Sequence, residues 1–410
     1  GGNARGLRGH VGEGEGLTGR GWRGWPGLTR ATGAEVGKEL EGLGWIEELV
    51  NQRGNGDYVM GRPARRYALS ARAGVVVGVD SGEHRVIATV ADLRGEVISR
   101  RVQTFSAGRR PATDIARRLR TVEDAIMDAL KAANVSPRAV LAVAVGVPAP
   151  VVADGRTVIR TEPFWKRMNP DIGVHLTRAQ GWRVLVDNDA NLAALAEGWR
   201  GQGRGERHFV TLLTGERLGA GVVEDGRLFR GGRGAGGEMV WLDLVEGVGS
   251  AAGIAALSRR WALDALDSAH PQPSPILGGL ALEDITPQQV FAAARQGDPL
   301  ARAVIRRLGE RFTRVSAAIG KVFDTDVIIL AGAVAKACDP ILDIIREELP
   351  QTVGPPVPRV VSSLLGEAVV SIGAVRRALD HVQENALEIA LPDLGRGADD
   401  DTSADRTDPR

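Results

Sequence analysis

A chain of 410 residues, 43% hydrophobic and 25% charged, is too long for a single core and is expected to divide into two or three domains. The single cysteine, Cys338, excludes an internal disulfide and a cysteine-rich zinc site, which fits a reducing cytoplasm. Its net charge of +1 favours no class of partner, and no apolar run is long enough to span a bilayer, since Ala139 to Val147 is cut by Pro148 and Pro150.

The opening Gly1-Gly2-Asn3-Ala4-Arg5 lacks the apolar core of a signal peptide, and the Gly/Arg-rich stretch 1–27 is expected to be poorly ordered. From Leu28 the spacing of Val36, Leu40 and Leu43 predicts a helix with Thr29, Arg30 and Thr32 at its start. A helix stop and short strand follow over Gly42 to Val50, then the loop Asn51 to Gly56. The chain returns as a strand over Gly61 to Leu69, which carries Arg62, Arg65 and Arg66. Helix, strand, basic loop, strand is the layout of a winged helix-turn-helix, whose helix start enters the major groove while wing arginines meet phosphates. A solvated basic linker is the plainer account of the same arginines. Gly33 and Gly37 also sit inside the recognition helix, each costing about 1 kcal/mol relative to alanine.

Next come β-branched runs over Gly74 to Asp80, Arg85 to Ala91 and Glu96 to Thr104, the first two joined by the turn Asp80-Ser81-Gly82-Glu83. Ile115 to Ala133 has helical spacing, and Ala139 to Val147 reads as a buried strand. Trp182 to Val186 is another short strand. The Ala/Leu-rich run after Asn191 is a helix that Asp189 or Asn191 is suited to cap. Polar residues at such a junction stand over the carboxyl end of a sheet, where α/β proteins bind ligands. There Asp189 either takes a hydroxyl proton or merely caps the helix.

The order then repeats: strand His208 to Leu213, turn Thr214-Gly215-Glu216-Arg217, strand Leu218 to Val223, and strand Arg227 to Phe229. Helices over roughly 250–267 and 288–323 precede a buried strand, Val327 to Leu330. Two copies of a three-strand meander with helices predict a duplicated α/β domain facing a cleft. The tail 386–410, with Asp399-Asp400-Asp401 and Asp405, is acidic, apolar-poor and expected to be disordered.

Four clusters fall on the turns of this duplication: Asp80-Ser81-Gly82; Gly146-Val147-Pro148-Ala149-Pro150; Asn188-Asp189-Ala190-Asn191; and Gly219-Ala220-Gly221 with Gly231 to Glu238. With the amino-terminal segment, and with Gly61-Arg62-Pro63-Ala64 and Val327 to Val334, they resemble the ROK family (repressors, open reading frames, sugar kinases) over residues 28 to about 383. The resemblance implies an α/β fold of the actin-like ATPase class. Two duplicated RNase H-like lobes, 71–187 and 188–385, would follow a winged helix-turn-helix domain at 1–70. In the family's kinases the aspartate of the Asn-Asp pair is the general base, which maps to Asp189, with Asn188 and Glu238 as sugar-hydroxyl partners. Gly146 and Trp241 are further ligand candidates, Trp241 either stacking on a sugar or plugging the pocket. Trp165 lines the cleft or packs the lobe. The family's nucleotide turns map to Asp80, Gly82, Gly219 and Gly221, with Gly332 near adenosine.

Departures from the kinase pattern decide the functional expectation. Asp80-Ser81-Gly82-Glu83-His84 stands where kinase members have Asp-x-Gly-Gly-Thr, and Glu83 sets a carboxylate against phosphate oxygens. Trp241 replaces a histidine, and Leu242 to Ser250 replaces a cysteine-rich zinc loop without one Cys or His, so no metal is expected there. A second carboxylate, Glu216, enters the second phosphate turn. Phosphoryl transfer depends on charge stabilisation that these carboxylates oppose. The expectation is therefore a non-enzymatic, cofactor-free cytoplasmic repressor. Its partners are operator DNA and a sugar or phosphosugar effector, it forms a homodimer or homotetramer, and it has no membrane association. The alternatives are an ATP-dependent hexose kinase with Asp189 as general base and a scaffold with neither activity.

Overall fold

The computed structural model describes residues 17–18, 41–42, 44–48, 66–70, 73–105, 115–152, 155–156, 163–268, 273–386, 388–389 and 391. Three short strands, β1 (Leu17–Thr18), β2 (Ile46–Glu48) and β3 (Arg66–Leu69), form an antiparallel sheet with β3 in the centre. β1 lies within the stretch from which the sequence predicts no element. Gly44, at φ 82°, donates to the Glu41 carbonyl at 3.0 Å and ends the helical turn before β2. Arg66 opens β3 opposite Thr18. Thr29, Arg30, Thr32, Arg62 and Arg65 lie outside the described residues.

The first large sheet follows. β4 (Val75–Ser81), β5 (Arg85–Ala91) and β6 (Val97–Thr104) run as an antiparallel meander, crossed by α1 (Ile115–Ala132) and extended by β7 (Val140–Val147). Then α2 (Pro163–Met168) and α3 (Ile172–Gln180) lead to β8 (Val184–Asn188). The order is β6-β5-β4-β7-β8, with β4, β7 and β8 parallel. Every residue of β7 is buried, as expected of a central strand covered on both faces.

In the second lobe α4 (Asp189–Arg200) precedes the meander β9 (Phe209–Thr214), β10 (Leu218–Glu224) and β11 (Arg227–Phe229). Beyond it come α5 (Ile254–Leu266), α6 (Pro287–Arg295), α7 (Pro299–Phe323) and β12 (Val327–Ala331). The lobe ends with α8 (Asp339–Val353), β13 (Arg359–Ser362) and α9 (Val369–Glu384). Its sheet order, β11-β10-β9-β12-β13, repeats the first: a meander whose first strand pairs in parallel with the fourth, and the fourth with the fifth. The duplication expected from sequence is present.

One expected helix is two. The pattern over 288–323 breaks at Gly297, at φ 91°, after which the Asp298 carboxylate caps α7 by accepting from the Ala301 amide at 3.0 Å. Pro299 then occupies the first helical turn, where its missing amide costs nothing.

The terminal helix α9 packs on α4 and on strands β4 and β7 of the first sheet. Its approach to α4 is so close that a Cβ on Gly373 would lie 1.7 Å from the Leu192 carbonyl oxygen. Leu379 and Val382 of α9 share one buried cluster with Trp45 and Ile46, so the amino-terminal sheet is seated on the first lobe through this helix. Among the described residues no helix is long and apolar enough to cross a membrane.

Candidate ligand-binding site

The β8–α4 junction settles which residue caps the helix. It is Asn188, not Asp189 or Asn191: its extended backbone (φ −68°, ψ 139°) lets Oδ1 accept from the Asn191 amide at 3.1 Å. The Asn188 Nδ2 donates to the Ala149 carbonyl at 3.1 Å, fixing the amide across to the end of β7. An amide side chain offers two donors and two lone pairs, so one of each remains for a ligand hydroxyl. Freed from capping, Asp189 begins α4, with Oδ1 accepting from the Ala190 amide at 2.8 Å.

Three carboxylates meet here. Burial, then the charge of Asp80 and, more weakly, that of Glu238, push the Asp189 pKa well above the usual carboxylate range. Burial raises Asp80 to about 6 against the opposing pull of Arg85 and Arg118. Glu238 is raised by burial and pulled back by Arg217. All three are half-buried. Partly desolvated carboxylates that repel one another gain from neutral hydroxyl donors, which relieve desolvation without bringing in another negative charge. That is the chemistry of a polyol.

Two arginines act around Glu238, one by tying down its loop and the other through its charge. Arg230 forks onto the buried Asp187, its Nη1 and Nη2 donating at 2.7 and 2.6 Å, and so ties the loop after β11 to the end of β8. That loop also leans on strand β10, where the Ala220 amide donates to the Gly237 carbonyl at 3.2 Å. A Cβ at residue 237 would fall 1.7 Å from the Ala220 oxygen, so only glycine allows this approach. Arg217, in the β9–β10 turn, places its guanidinium 3.9 Å from the ring centroid of Phe164 on α2, bridging the two lobes.

The first turn is braced from behind. Arg118 of α1, fully buried, donates to the Ser81 carbonyl at 2.6 Å, the Ser81 hydroxyl at 3.0 Å and the Gly82 carbonyl at 2.9 Å. Asp80 and Glu83 both act on this guanidinium, so it offsets part of the negative charge expected at the turn.

Several of the glycines expected at nucleotide or ligand turns have close packing partners. A Cβ on Gly146 would meet Val370 at 2.7 Å and Leu192 at 2.9 Å; on Gly221 it would meet the Ala190 carbonyl oxygen at 2.3 Å, and on Gly219 the Ala190 Cβ at 3.1 Å. These positions seat α4 and α9 on the sheets. Gly332, at φ 110°, makes the turn after β12. Trp241, half-buried, packs against the second-lobe core, and Trp165 packs against that of the first. The site thus gathers Asp80, Gly82, Asn188, Asp189 and Glu238. Sequence reasoning missed Arg118, Arg217, Arg230 and Phe164, whose partners are distant in the chain. Among the described residues no three His, Cys, Asp or Glu side chains are set to hold a metal.

Two sheets of the same order, with polar strand ends facing one cleft, define a two-lobed α/β domain of the actin-like ATPase class. Residues 76–376 match the ROK family model, and the chain belongs to the ROK family. It is 26% identical over 332 residues to the xylose repressor of Caldicellulosiruptor bescii, covering 79% of this chain and 81% of that protein. Identity is 31% over 330 residues with the glucokinase of Streptomyces coelicolor, covering 73% of this chain and 96% of the kinase. Among solved structures, a ROK family transcriptional regulator, a homolog of the E. coli Mlc protein, superposes with a TM-score of 0.73 at 22% identity. That likeness, one of fold, covers 94% of this chain and 96% of the regulator.

Proposed function

We propose that this protein is a sugar-responsive transcriptional repressor acting in the cytoplasm. Its cleft binds a sugar or sugar-derived effector, and its amino-terminal residues 1–70 form a winged helix-turn-helix on operator DNA. The observation that carries the reading is the amino-terminal sheet keyed onto the kinase-like lobes by Trp45 and Ile46. The glucokinase match covers 73% of the chain, whereas the likeness to the regulator covers 94%. Asn188, Asp189 and Glu238 bind ligand hydroxyls, and lobe closure changes how a dimer or tetramer presents two DNA-binding segments to a two-fold site. Thr29, Arg30 and Thr32 contact base edges, and Arg62, Arg65 and Arg66 the phosphates.

Gel-shift titration on DNA flanking the gene tests this directly. Sequence-specific, salt-dependent binding that a sugar weakens is expected, with Arg65→Ala weakening all sequences alike. Binding that ignores sequence and salt would overturn it. A second reading, an ATP-dependent hexose kinase with Asp189 as base, is supported by the glucokinase identity and the intact Asn188-Asp189 pair. ADP release over a hexose panel, lost in Asp189→Asn, would establish that reading in place of the first.

A further inference from the structure

Away from the cleft, a second polar centre is built on α7. Arg311 is 2% exposed, and the acceptors of its hydrogen bonds among the described residues are backbone carbonyls. Its Nε donates to the Val248 carbonyl at 3.0 Å and its Nη2 to the Ser250 carbonyl. The Nη1 is buried and finds no acceptor among the described residues. Burial, and then the neighbouring Arg260 guanidinium, lower its pKa to about 10. One turn along α7, Arg314 lies over the same loop: a Cβ on Gly247 would fall 2.8 Å from its Nη1. Arg260 and Arg314 are exposed.

A buried guanidinium satisfied only by neutral carbonyls, beside another cation, is electrostatically costly. Its free N–H edge and two flanking guanidiniums match an oxyanion with several acceptor oxygens. We propose that Arg260, Arg311 and Arg314 form a binding site for a phosphate group, carried by a phosphomonoester or present as the free ion. The loop Glu246-Gly247-Val248-Gly249-Ser250 roofs it. Gly247 and Gly249, at φ 76° and 82°, are turn positions through which the roof lifts to admit the anion. Glu246, the carboxylate of this roof, is exposed.

The roof is chained to the cleft. After Ser250, the Ala251 carbonyl accepts from the Leu218 amide at 2.8 Å, Ala252 forms a bridge with Arg217, and the Gly253 amide donates to the Glu216 carbonyl at 3.0 Å. A phosphate that shifts Val248 and Ser250 therefore pulls on the turn holding Arg217, the residue that touches Phe164 and acts on Glu238. The segment that replaces the family kinases' zinc loop becomes an anion-sensing element coupled to the sugar site.

Thermal unfolding of the full chain tests the proposal, with inorganic phosphate, a hexose 6-phosphate and the parent hexose as probes at matched ionic strength. A saturable rise in Tm with inorganic phosphate that chloride does not reproduce is expected, because ligand bound to the native state stabilises it. Arg260→Ala with Arg314→Ala, both at exposed positions, should weaken that response at least tenfold. Asp189→Asn should leave it intact while removing the response to the hexose, which separates this site from the cleft. Tighter binding of the hexose phosphate in Asp189→Asn identifies a phosphomonoester as the ligand, and equal binding identifies the free ion. No phosphate-specific rise, or an equal rise in the double variant, would overturn the proposal and leave Arg311 as a pin for the loop.

Discussion

Asp187 and Arg230 form a two-pronged ion pair, with contacts of 2.7 and 2.6 Å, between the end of β8 and the loop that carries Glu238. Asp187 is 3% exposed, and Arg377 stands off at 3.9 Å. The pair joins the two halves of the candidate site, since the residue after Asp187 is Asn188 and the loop after Arg230 ends at Glu238.

Arg230→Ala should therefore loosen Glu238 without touching a ligand. Losing hydrogen bonds to a charged group costs roughly 1.5–3 kcal/mol, so sugar affinity by calorimetry is expected to fall about tenfold or more. Arg230→Lys keeps the charge and loses the fork, and should recover only part of the loss. Unchanged affinity in both variants would mean that the loop holds Glu238 without help from Asp187.

Asp80 predicts a pH signature. Its pKa rises from 3.8 to about 6 in the folded chain, chiefly by burial. Between those values the folded state holds the proton more tightly than the unfolded state, so stability falls as pH climbs through that window and the penalty is complete above it. Such a shift is worth at most about 3 kcal/mol, and the partial exposure of Asp80 reduces it to roughly 1–2 kcal/mol. Asp80→Asn should thus melt higher than the parent at pH 7, the gap closing on acidification below the ordinary carboxylate range. A gap that stays constant with pH would show that Asp80 does not titrate as a buried acid.

Arg217 links the lobes by lying 3.9 Å over Phe164, a cation–π contact worth about 0.5–1 kcal/mol at an exposed position. It also holds down the pKa of Glu238. In Arg217→Ala the carboxyl of Glu238 should keep its proton to higher pH, so the pH at which sugar binding changes should move upward. Phe164→Leu removes the stacking and leaves the guanidinium, so it should weaken binding several-fold with no such displacement. Identical pH profiles in the two variants would mean that Arg217 acts only as a strap between lobes.

Elements whose signal is local are legible in the sequence. Arg85 to Ala91 and Arg227 to Phe229 are strands to the residue, because short runs bounded by tight turns are visible in the chain itself. Around Asn188 the local signal was ambiguous: Asn188, Asp189 and Asn191 share the same capping chemistry, and only backbone angles separate them. Beyond Leu330 the sequence pattern predicts no helix or strand, although α8, β13 and α9 lie there. β13 has four residues, α8 contains Pro350, and α9 owes its place to contacts with α4 and the first sheet. Arg118 and Arg230 were illegible for the same reason, since their partners Ser81 and Asp187 lie 37 and 43 residues away.

The contacts of α9 predict how the cleft reports to the amino terminus. α4 starts at Asp189 and meets α9 where Leu192 faces Gly373. Further along α9, Leu379 and Val382 share a cluster with Trp45, which is 2% exposed. On the proposed function, a displacement of Asp189 by a bound sugar would pass through two touching helices to Trp45 and Ile46 at the start of the amino-terminal sheet. Trp45→Ala removes the larger of the two side chains in this contact and leaves Ile46, at a cost of roughly 3–5 kcal/mol to the packing of that sheet. Sugar should still raise the Tm of the lobes in this variant. The dependence of DNA affinity on sugar, read by gel shift, should shrink, because the packing that joins α9 to the amino-terminal sheet is cut back. A sugar effect on DNA binding of unchanged size in Trp45→Ala would exclude α9 as the connection.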